Sequence, residues 1–594
     1  MAYKAPVREH LFILDEVLGL DSYSNLPGFS DAPSDLRAQV LEEAGKFCEE
    51  ALAPLNAVGD REGCKYDPAS AEVATPTGFK AAYSTMVQSG WAALSVAPEW
   101  GGQGLPLVLN VAFNEMASSA NMAFAMYPGL THGAFSAILA AGSDEQKALY
   151  LAKLATGEWA GAMNLTEPQC GTDLGLIRTK AVKAEDGTYR ITGEKIWISG
   201  GEEDLAPNIV QLVLARVEGA QAGVRGLSLF ITPKFLPKAD GTPGERNAYR
   251  CAGLEEKMGI HGNATCVMAY EGATGWLLGE ENMGLRQMFV MMNEARLGVA
   301  VQGLAQAEAS YQAAVAFARD RLQGRALTGP KNPGGPADSI LVHPDVRRML
   351  MESRAIVEGG RALLFWTFLH EDLAHAAADE AERTRADDVV ALLTPVVKSF
   401  LTDRGFKACS DALQVHGGSG YTVHFPAAQY LRDSRIAMIY EGTNGVQALD
   451  LVGRKIGHNG GRALQAFLGE LDAFTAEAGE GEAAPFVEAV KGAKAQLQEA
   501  SIWMLQHAAE PESAIAGSHD YLNLMALTGL AYMWAKIAKA AQAKIAAGDA
   551  DPFYTAKLIT GRYFLDRILP DAGAHLAKVK AGGASVMALA DEAF

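Results

Sequence analysis

Apolar positions in the first quarter of the chain recur at helical spacing: Val7, Leu11, Leu14 and Leu18, then Val40, Ala44 and Phe47. A stripe of that period is what a helix needs to bury one face. Asn110 to Ala117 continues the pattern, and Ser143 stands before Asp144 and Glu145 as an N-cap residue should. Residues 1–160 are therefore predicted as a helical domain, with Pro98-Glu-Trp-Gly-Gly-Gln-Gly104 as a loop inside it. Near Glu158 the rhythm shortens. Thr188–Ile191 and Lys195–Ser199 around a turn, Ile209–Val217, Leu227–Thr232, Ala264–Tyr270 and Trp276–Leu278 read as strands broken by Gly, Asp and Asn. They predict a β-domain over 161–282, with 233–253 (rich in Pro, Gly and Lys) as a surface excursion.

From Gly284 the helical period returns. Leu285, Met288, Phe289 and Met292 share one face and read as core, and an Ala-rich stretch runs to Arg321 without proline. Past the Pro330–Pro336 break, helices are expected over 343–375 and 383–416, giving a bundle over 283–458. The Gly- and Glu-rich run Glu477–Pro485 marks a soft boundary. Residues 459–594, with Trp503, Tyr521, Tyr532, Trp534, Phe553, Tyr554 and Phe564 at helical spacing, form an appended helical domain. The predicted class is α+β, mostly α.

Composition narrows the function. The 594 residues are 49% apolar and 20% charged, the mix of a folded globular protein. A net charge of −19 argues against nucleic acid or an anionic membrane as partner. Cys48, Cys64, Cys170, Cys251, Cys266 and Cys409 make no CxxC pair, so neither a metal site nor a disulfide framework is expected, and a reducing cytoplasm is. Acidic Glu9, Asp15 and Glu16 interrupt any signal-peptide core at the N-terminus. No uncharged apolar run is long enough to span a membrane.

The chemistry concentrates in Arg432 to Gln447, RDSRIAMIYEGTNGVQ. Apolar Ile436, Ala437, Met438, Ile439 and Tyr440 lead into Glu441, and Gly442, Thr443, Asn444 and Gly445 follow. A carboxylate delivered by an apolar run into such a turn suits a desolvated pocket, where burial raises its pKa and makes it a better proton acceptor near neutrality. The bland alternative is a helix ending in a turn, with the glutamate in solvent. His132, among Ala and Phe, reads as a packed core histidine before a pocket-lining one.

Gln414-Val-His-Gly-Gly-Ser-Gly-Tyr421, then Pro426, Arg432, Asp433 and Ile439-Tyr-Glu-Gly-Thr443, resemble the C-terminal signature of the acyl-CoA dehydrogenase family. Met163-Asn-Leu-Thr-Glu-Pro-Gln-Cys-Gly-Thr-Asp173, Lys195-Ile-Trp-Ile-Ser199 and the Pro98–Gly104 loop resemble its other segments, so the likeness covers most of the chain. It implies the family fold: an N-terminal helical domain, a central β-domain and a C-terminal bundle. It also implies FAD, an acyl-CoA substrate, an electron-transfer flavoprotein as acceptor and a homodimer. Glu441 would take the α-proton, with Tyr440, Gly442 and Arg296 beside the substrate. Leu165, Thr166, Trp197 and Ser199 would border the flavin ring, and Gly171 and Thr172 would meet the pyrophosphate. Arg321, Gln323, Gln414, Val415, Gly417 and Gly418, with Thr443, match cofactor positions, several of them lent by a second subunit.

Two departures weaken the adenine end of that likeness: Gly324 stands where an aromatic is usual, and Gly445 where many members have Gln. Glu294, one position off, is a rival base, because some members carry theirs on that helix. Resemblance at both chain ends to one subgroup implies 3-(methylthio)propanoyl-CoA as substrate, oxidised to 3-(methylthio)acryloyl-CoA in dimethylsulfoniopropionate catabolism. A medium- or long-chain acyl-CoA dehydrogenase and a DNA-associated flavoprotein of the adaptive-response type are the alternatives. The acidic excess of residues 461–594 argues against the last.

Overall fold

A computed structural model describes residues 3–477 and 481–594; Met1, Ala2 and three residues of the expected 477–485 boundary lie outside the described residues. The N-terminal part is dominated by α1 (Leu107–Ala141) and α2 (Asp144–Thr156). α1 bends at Asn121, whose backbone leaves the helical region while its side-chain oxygen accepts the Phe124 N–H at 3.1 Å and so caps the second half. The expected Ser143 cap is a full capping box: Ser143 Oγ accepts from the Gln146 N–H, and Gln146 Oε1 accepts from the Ser143 N–H. The region is not wholly helical, because Lys65–Asp67 and Glu72–Ala74 pair as a short hairpin.

Seven strands follow: β1 (Ala160–Asn164), β2 (Lys180–Lys183), β3 (Tyr189–Ser199), β4 (Ile209–Val217), β5 (Leu227–Pro233), β6 (Tyr249–Leu254) and β7 (Thr265–Leu278). The path β7-β3-β2-β4-β5 returns to β7, because Trp276–Leu278 pairs with Leu229–Ile231. The sheet thus closes on itself, with β6 and β1 attached at its rims. Two expectations are corrected here. No turn separates Thr188–Ile191 from Lys195–Ser199; they are one strand, and 264–278 likewise runs through as β7. The 233–253 stretch is an excursion only to Arg246 (hairpin strands Phe235–Pro237 and Pro243–Arg246), after which β6 rejoins the sheet. β3 carries Thr192, Gly193 and Glu194 in regular pairing with Glu271, Tyr270 and Ala269, and β7 takes in Gly272 at a bulge, so residues that sequence punctuation reads as breaks lie inside both strands.

β4 is buried along most of its length because both faces are covered. Ile209, Val213 and Ala215 join the core containing Tyr189, Phe230 and Tyr270, whereas Val210, Leu212 and Leu214 pack on Ile138, Trp159 and Met288. The long helices α3 (Gly284–Asp320), α4 (Pro344–Ala376) and α5 (Glu380–His416) build the bundle. α3 and α5 touch backbone to backbone, for a Cβ on Gly405 would lie 2.3 Å from the Gly303 carbonyl oxygen. Interior helical glycine costs about 1 kcal/mol against alanine, so the close approach is the reason for both residues. The two helices run parallel, and the Phe317 and His416 rings, 4.5 Å apart, bring their C-terminal ends side by side.

Short α6 (Ala427–Ser434) and α7 (Asn444–Asp450) carry the Glu441 segment between them. Beyond them α8 (Ala484–Gln506), α9 (Ser518–Ala546), α10 (Pro552–Arg567) and α11 (Asp571–Lys580) form the appended layer. It shares the main core: Trp534 seats against Gly359, and Tyr532 meets Trp366 edge-on at 5.4 Å. Lys557 crosses the same seam to Glu9 and Glu358, while Arg361 pairs with Glu115 and Glu308 within the main core.

Candidate functional site

Glu441 stands where the chain leaves a 3-10 turn (Arg435–Met438) for α7. Glu441 and Gly442 are both left-handed, at φ +57° and +84°. For a glutamate that conformation costs on the order of 1–2 kcal/mol, so the surroundings must impose it. They do so through the backbone. Gln447 Nε2 donates to the carbonyls of Glu441 (3.1 Å) and Gly442 (3.2 Å), and Lys398 Nζ donates to Gly442 at 2.8 Å. Thr443 Oγ1 caps α7 by accepting the Val446 N–H. The same segment is docked at its base: Arg432 pairs with Asp60 of the N-terminal region, and Asp433 accepts the Ile260 N–H beyond β6.

The result is a carboxylate facing a cavity of about 460 Å³ between α1, α3, α4 and α5. Ser199, Arg296, Tyr440 and Glu441 line one region of it, with Gln302 taking the Tyr440 hydroxyl. The Glu441 carboxylate has no hydrogen-bond partner among the described residues. Burial raises it from 4.5 to about 7, only partly offset by the nearby charges of Arg296 and Lys398. Arg296 is itself shared with Asp450, 3.7 Å away.

His132 is not the packed core residue expected. It lines this cavity and meets Glu294 at 3.3 Å, so the rival base is committed to an imidazole. Glu371 and His375 of α4 and Asp387 of α5 add further polar wall, and burial pushes Glu371 up to about 7. Nothing in the local pattern announced these three, because they come together only where two helices meet.

The segments that hold the expected flavin residues are set by a staple. Lys195, fully buried on β3, donates to the Leu165 carbonyl and to Glu167, both at 2.9 Å. Glu167 also accepts from the N–H groups of Arg178 and Thr179. Burial opposes its charge, but Lys195 and the Thr179 hydroxyl hold it at about 2. The loop after β1 is thereby fixed beside β3. A bulge follows on β3: Trp197 adopts φ +60° and is 61% exposed, while Ser199 reaches the cavity. The side chains of Thr166, Thr172, Trp197 and Ser199 have no hydrogen-bond partner among the described residues. Leu165 is buried behind them and Gly171 lies open at the surface.

Arg321, Gln323, Gln414, Gly417 and Gly418 lie elsewhere. Arg321 ends α3, about 37 Å along the helix from Arg296 at 1.5 Å per residue. Gln414, Gly417 and Gly418 are exposed at the neighbouring end of α5, and Val415 is core. Buried Asp338 shapes the Arg321 loop, accepting the N–H groups of Ala326, Lys331 and Asn332. Arg321's guanidinium has no partner among the described residues. Within one copy of the chain the two groups of expected cofactor residues are therefore far apart.

An exposed indole, three uncommitted hydroxyls and an open glycine loop fit a ring with a polar edge and a diphosphate tail, which is the form of FAD. Ser199 links this group to the cavity that the unbonded Glu441 carboxylate also lines, and together they suit an oxidoreductase of the flavin-dependent class. Four family descriptions match in order: acyl-CoA dehydrogenase N-terminal domain over 34–158, middle domain over 162–273, C-terminal domain over 282–456, and acetyl-CoA dehydrogenase C-terminal like over 467–590. The 3-methylmercaptopropionyl-CoA dehydrogenase of Ruegeria pomeroyi is 43% identical over 99% of both chains. The broad-specificity linear acyl-CoA dehydrogenase FadE5 of Mycobacterium tuberculosis is 35% identical over 96% of both. Caenorhabditis elegans ACDH-11, solved in complex with C11-CoA, shares the fold with a TM-score of 0.76 at 19% identity, covering 94% of this chain and 91% of that one. The chain belongs to the acyl-CoA dehydrogenase family. It is an FAD-dependent oxidoreductase acting on the CH–CH bond of an acyl-CoA thioester.

Proposed function

We propose that this enzyme oxidises short β-substituted propanoyl-CoA thioesters, 3-(methylthio)propanoyl-CoA foremost, to the α,β-unsaturated product, with Glu441 as the base. The observation that carries the chemistry is the Glu441 carboxylate: half-buried at the cavity wall, without a hydrogen-bond partner among the described residues, and shifted up to about 7, where a base is most effective. It takes the α-proton, and its own backbone N–H, held by the left-handed turn, is free to face the thioester oxygen as charge develops there. Bound FAD supplies the acceptor for the β-hydride. Thr166, Trp197 and Ser199 would hold the flavin ring, and Gly171 and Thr172 would meet its pyrophosphate. Arg296 and Tyr440 confine the acyl end.

The identity to the R. pomeroyi protein along the whole chain supports the substrate. The cavity supports a short acyl group too: Glu294, Glu371 and Asp387 would be stripped of water by a long alkyl tail, which is unfavourable unless they find new partners. The likeness to a broad-specificity linear enzyme favours a second reading, straight-chain acyl-CoA. Anaerobic bleaching of the flavin by 3-(methylthio)propanoyl-, butanoyl-, octanoyl- and palmitoyl-CoA separates the two. A kcat/KM highest for the first and lowest for the last is expected; a preference for palmitoyl-CoA sinks the short-chain reading.

The distant half-sites support a homodimer in which Arg321, Gln323, Gln414 and Gly417–Gly418 of one copy complete the flavin site of the other. An electron-transfer flavoprotein is the proposed electron acceptor. No helix among the described residues is long and apolar enough to cross a membrane. All six cysteines are free, which suits the proposed cytoplasmic setting.

A further inference from the structure

We propose that Lys398 is a positioning residue for the reaction: from behind the Glu441 turn, its ammonium clamps the turn and keeps the base in its charged, proton-accepting form. This rests on the reading of Glu441 as the base. Lys398 sits on α5 in the apolar run Thr394–Leu401 and is fully buried. A lysine is almost never buried without a task for its charge. It is not part of the cavity wall, so it reaches the reaction only through Glu441. Two of its three donors are spent on the turn itself, on the Gly442 carbonyl at 2.8 Å and on Asn444 Oδ1 at 2.9 Å. Asn444 passes the hold on to α5, donating to Asp403 at 2.7 Å and to Thr402 Oγ1 at 3.0 Å. The turn that aims the base is thus bolted to the helix behind it by a charged group.

The electrostatics around Glu441 come from few sources. α3 contributes Arg296, α5 contributes Lys398, and Tyr440 is the neighbour on its own segment. Arg296 is divided, because Asp450 lies 3.7 Å from it and is bonded in turn by Arg454 at 3.0 Å. Lys398 has no carboxylate in direct contact; Asp403 and Glu441 act on it at longer range, and Arg296 opposes them. Burial lowers Lys398 to about 8 and raises Glu441 to about 7, so near neutrality the lysine still carries its proton while the glutamate has begun to lose its own. Removing that charge would leave the carboxylate buried with only half of Arg296 for company. Its protonated form would then persist to higher pH.

The test isolates proton abstraction from oxidation. 3,3-Dimethylbutanoyl-CoA has α-hydrogens but no β-hydrogen, so the FAD-loaded enzyme exchanges its α-protons in D₂O without dehydrogenating it. Exchange in the wild type should rise with pH through about 7. In Lys398→Met and Lys398→Gln the midpoint should move up by as much as about one unit, the low end of what loss of a nearby opposite charge gives. Lys398→Arg, which keeps the charge, should stay at the wild-type midpoint. A residue that merely supports the fold would lower exchange equally at every pH. If the methionine variant loses its flavin, the glutamine variant decides alone, since it retains a donor for Gly442. An unmoved midpoint in the neutral variants overturns the proposal. Glu441→Gln separates the two readings: if it still exchanges, the base assignment has failed, whereas a dead Glu441→Gln with an unmoved midpoint condemns the role of Lys398 only.

Discussion

Glu115 and Glu441 are both glutamates beside an arginine, the first fully buried and the second half-buried at a cavity wall, and they end in opposite states. Glu115 receives Arg361 on both oxygens, at 2.6–3.0 Å, and His10 at 3.0 Å. Burial opposes its charge, yet these contacts hold it at about 2. Glu441 has Arg296 and Lys398 near it but no donor on its carboxylate, and it rises to about 7. At Glu115 the charges touch the carboxylate, so their attraction and hydrogen bonds together outweigh burial; at Glu441 they stand off and offset burial only in part. The first glutamate is locked into one protonation state and holds helices together. The second is free to change state, and chemistry needs that freedom.

The sharpest way to break the comparison is to neutralise each in turn. Glu441→Gln should lower single-turnover flavin reduction by at least the 10²–10⁴ typical of a lost general base, with FAD content and acyl-CoA binding intact. A variant keeping more than about a tenth of the rate lies outside that range and would refute the assignment. Glu115→Gln should do the converse. Leaving Arg361 poorly paired costs about 3–5 kcal/mol of stability, read as an earlier unfolding transition, while activity per folded molecule stays near wild type. If it instead abolished turnover without destabilising the fold, the division of labour would be wrong.

Acid separates the pair by sign. Glu441 has a folded pKa above its ordinary 4.5, so its ionisation subtracts stability as pH rises from 4.5 through about 7, the same window in which kcat/KM should climb. Glu115 lies below its ordinary value, so its contribution is present above 4.5 and is lost as pH falls toward about 2. Unfolding curves of the two Gln variants against pH should diverge from wild type in these different windows. The smallest effect is expected from Glu294→Gln. Its carboxylate already meets His132, so turnover should change by less than about tenfold, short of the loss of a base.

Much of this was legible in the sequence. Helical period located the bundles, and the motifs around Thr166, Trp197 and Glu441 led to residues on or beside one cavity. Strand continuity was not legible, since Thr192, Gly193 and Glu194 inside β3 and Gly272 at the β7 bulge are residue types that normally signal turns. Nor was the support of the site. Arg432 and Asp433 stood in the signature without a visible task, and they anchor the Glu441 segment to Asp60 and Ile260 across more than 170 residues of chain. Lys195 and Lys398 gave a faint signal as lone lysines in apolar or strand-like runs, but their partners Glu167 and Gly442 are fixed only by tertiary packing. His132 looked like core because its neighbours are apolar, and periodicity cannot tell a cavity wall from a packed interior.

The length of α3 has a genetic consequence. Its 37 residues span about 55 Å and keep Arg296 and Arg321 from ever meeting in one chain. In the proposed homodimer, a chain damaged only at Glu441 still offers an intact Arg321 end, and a chain damaged only at Arg321 still offers the proposed base. Neither variant should work alone. Co-expressed, they should form mixed pairs in which one of the two sites is whole and the other doubly broken, so that two silent alleles together restore a fraction of the activity.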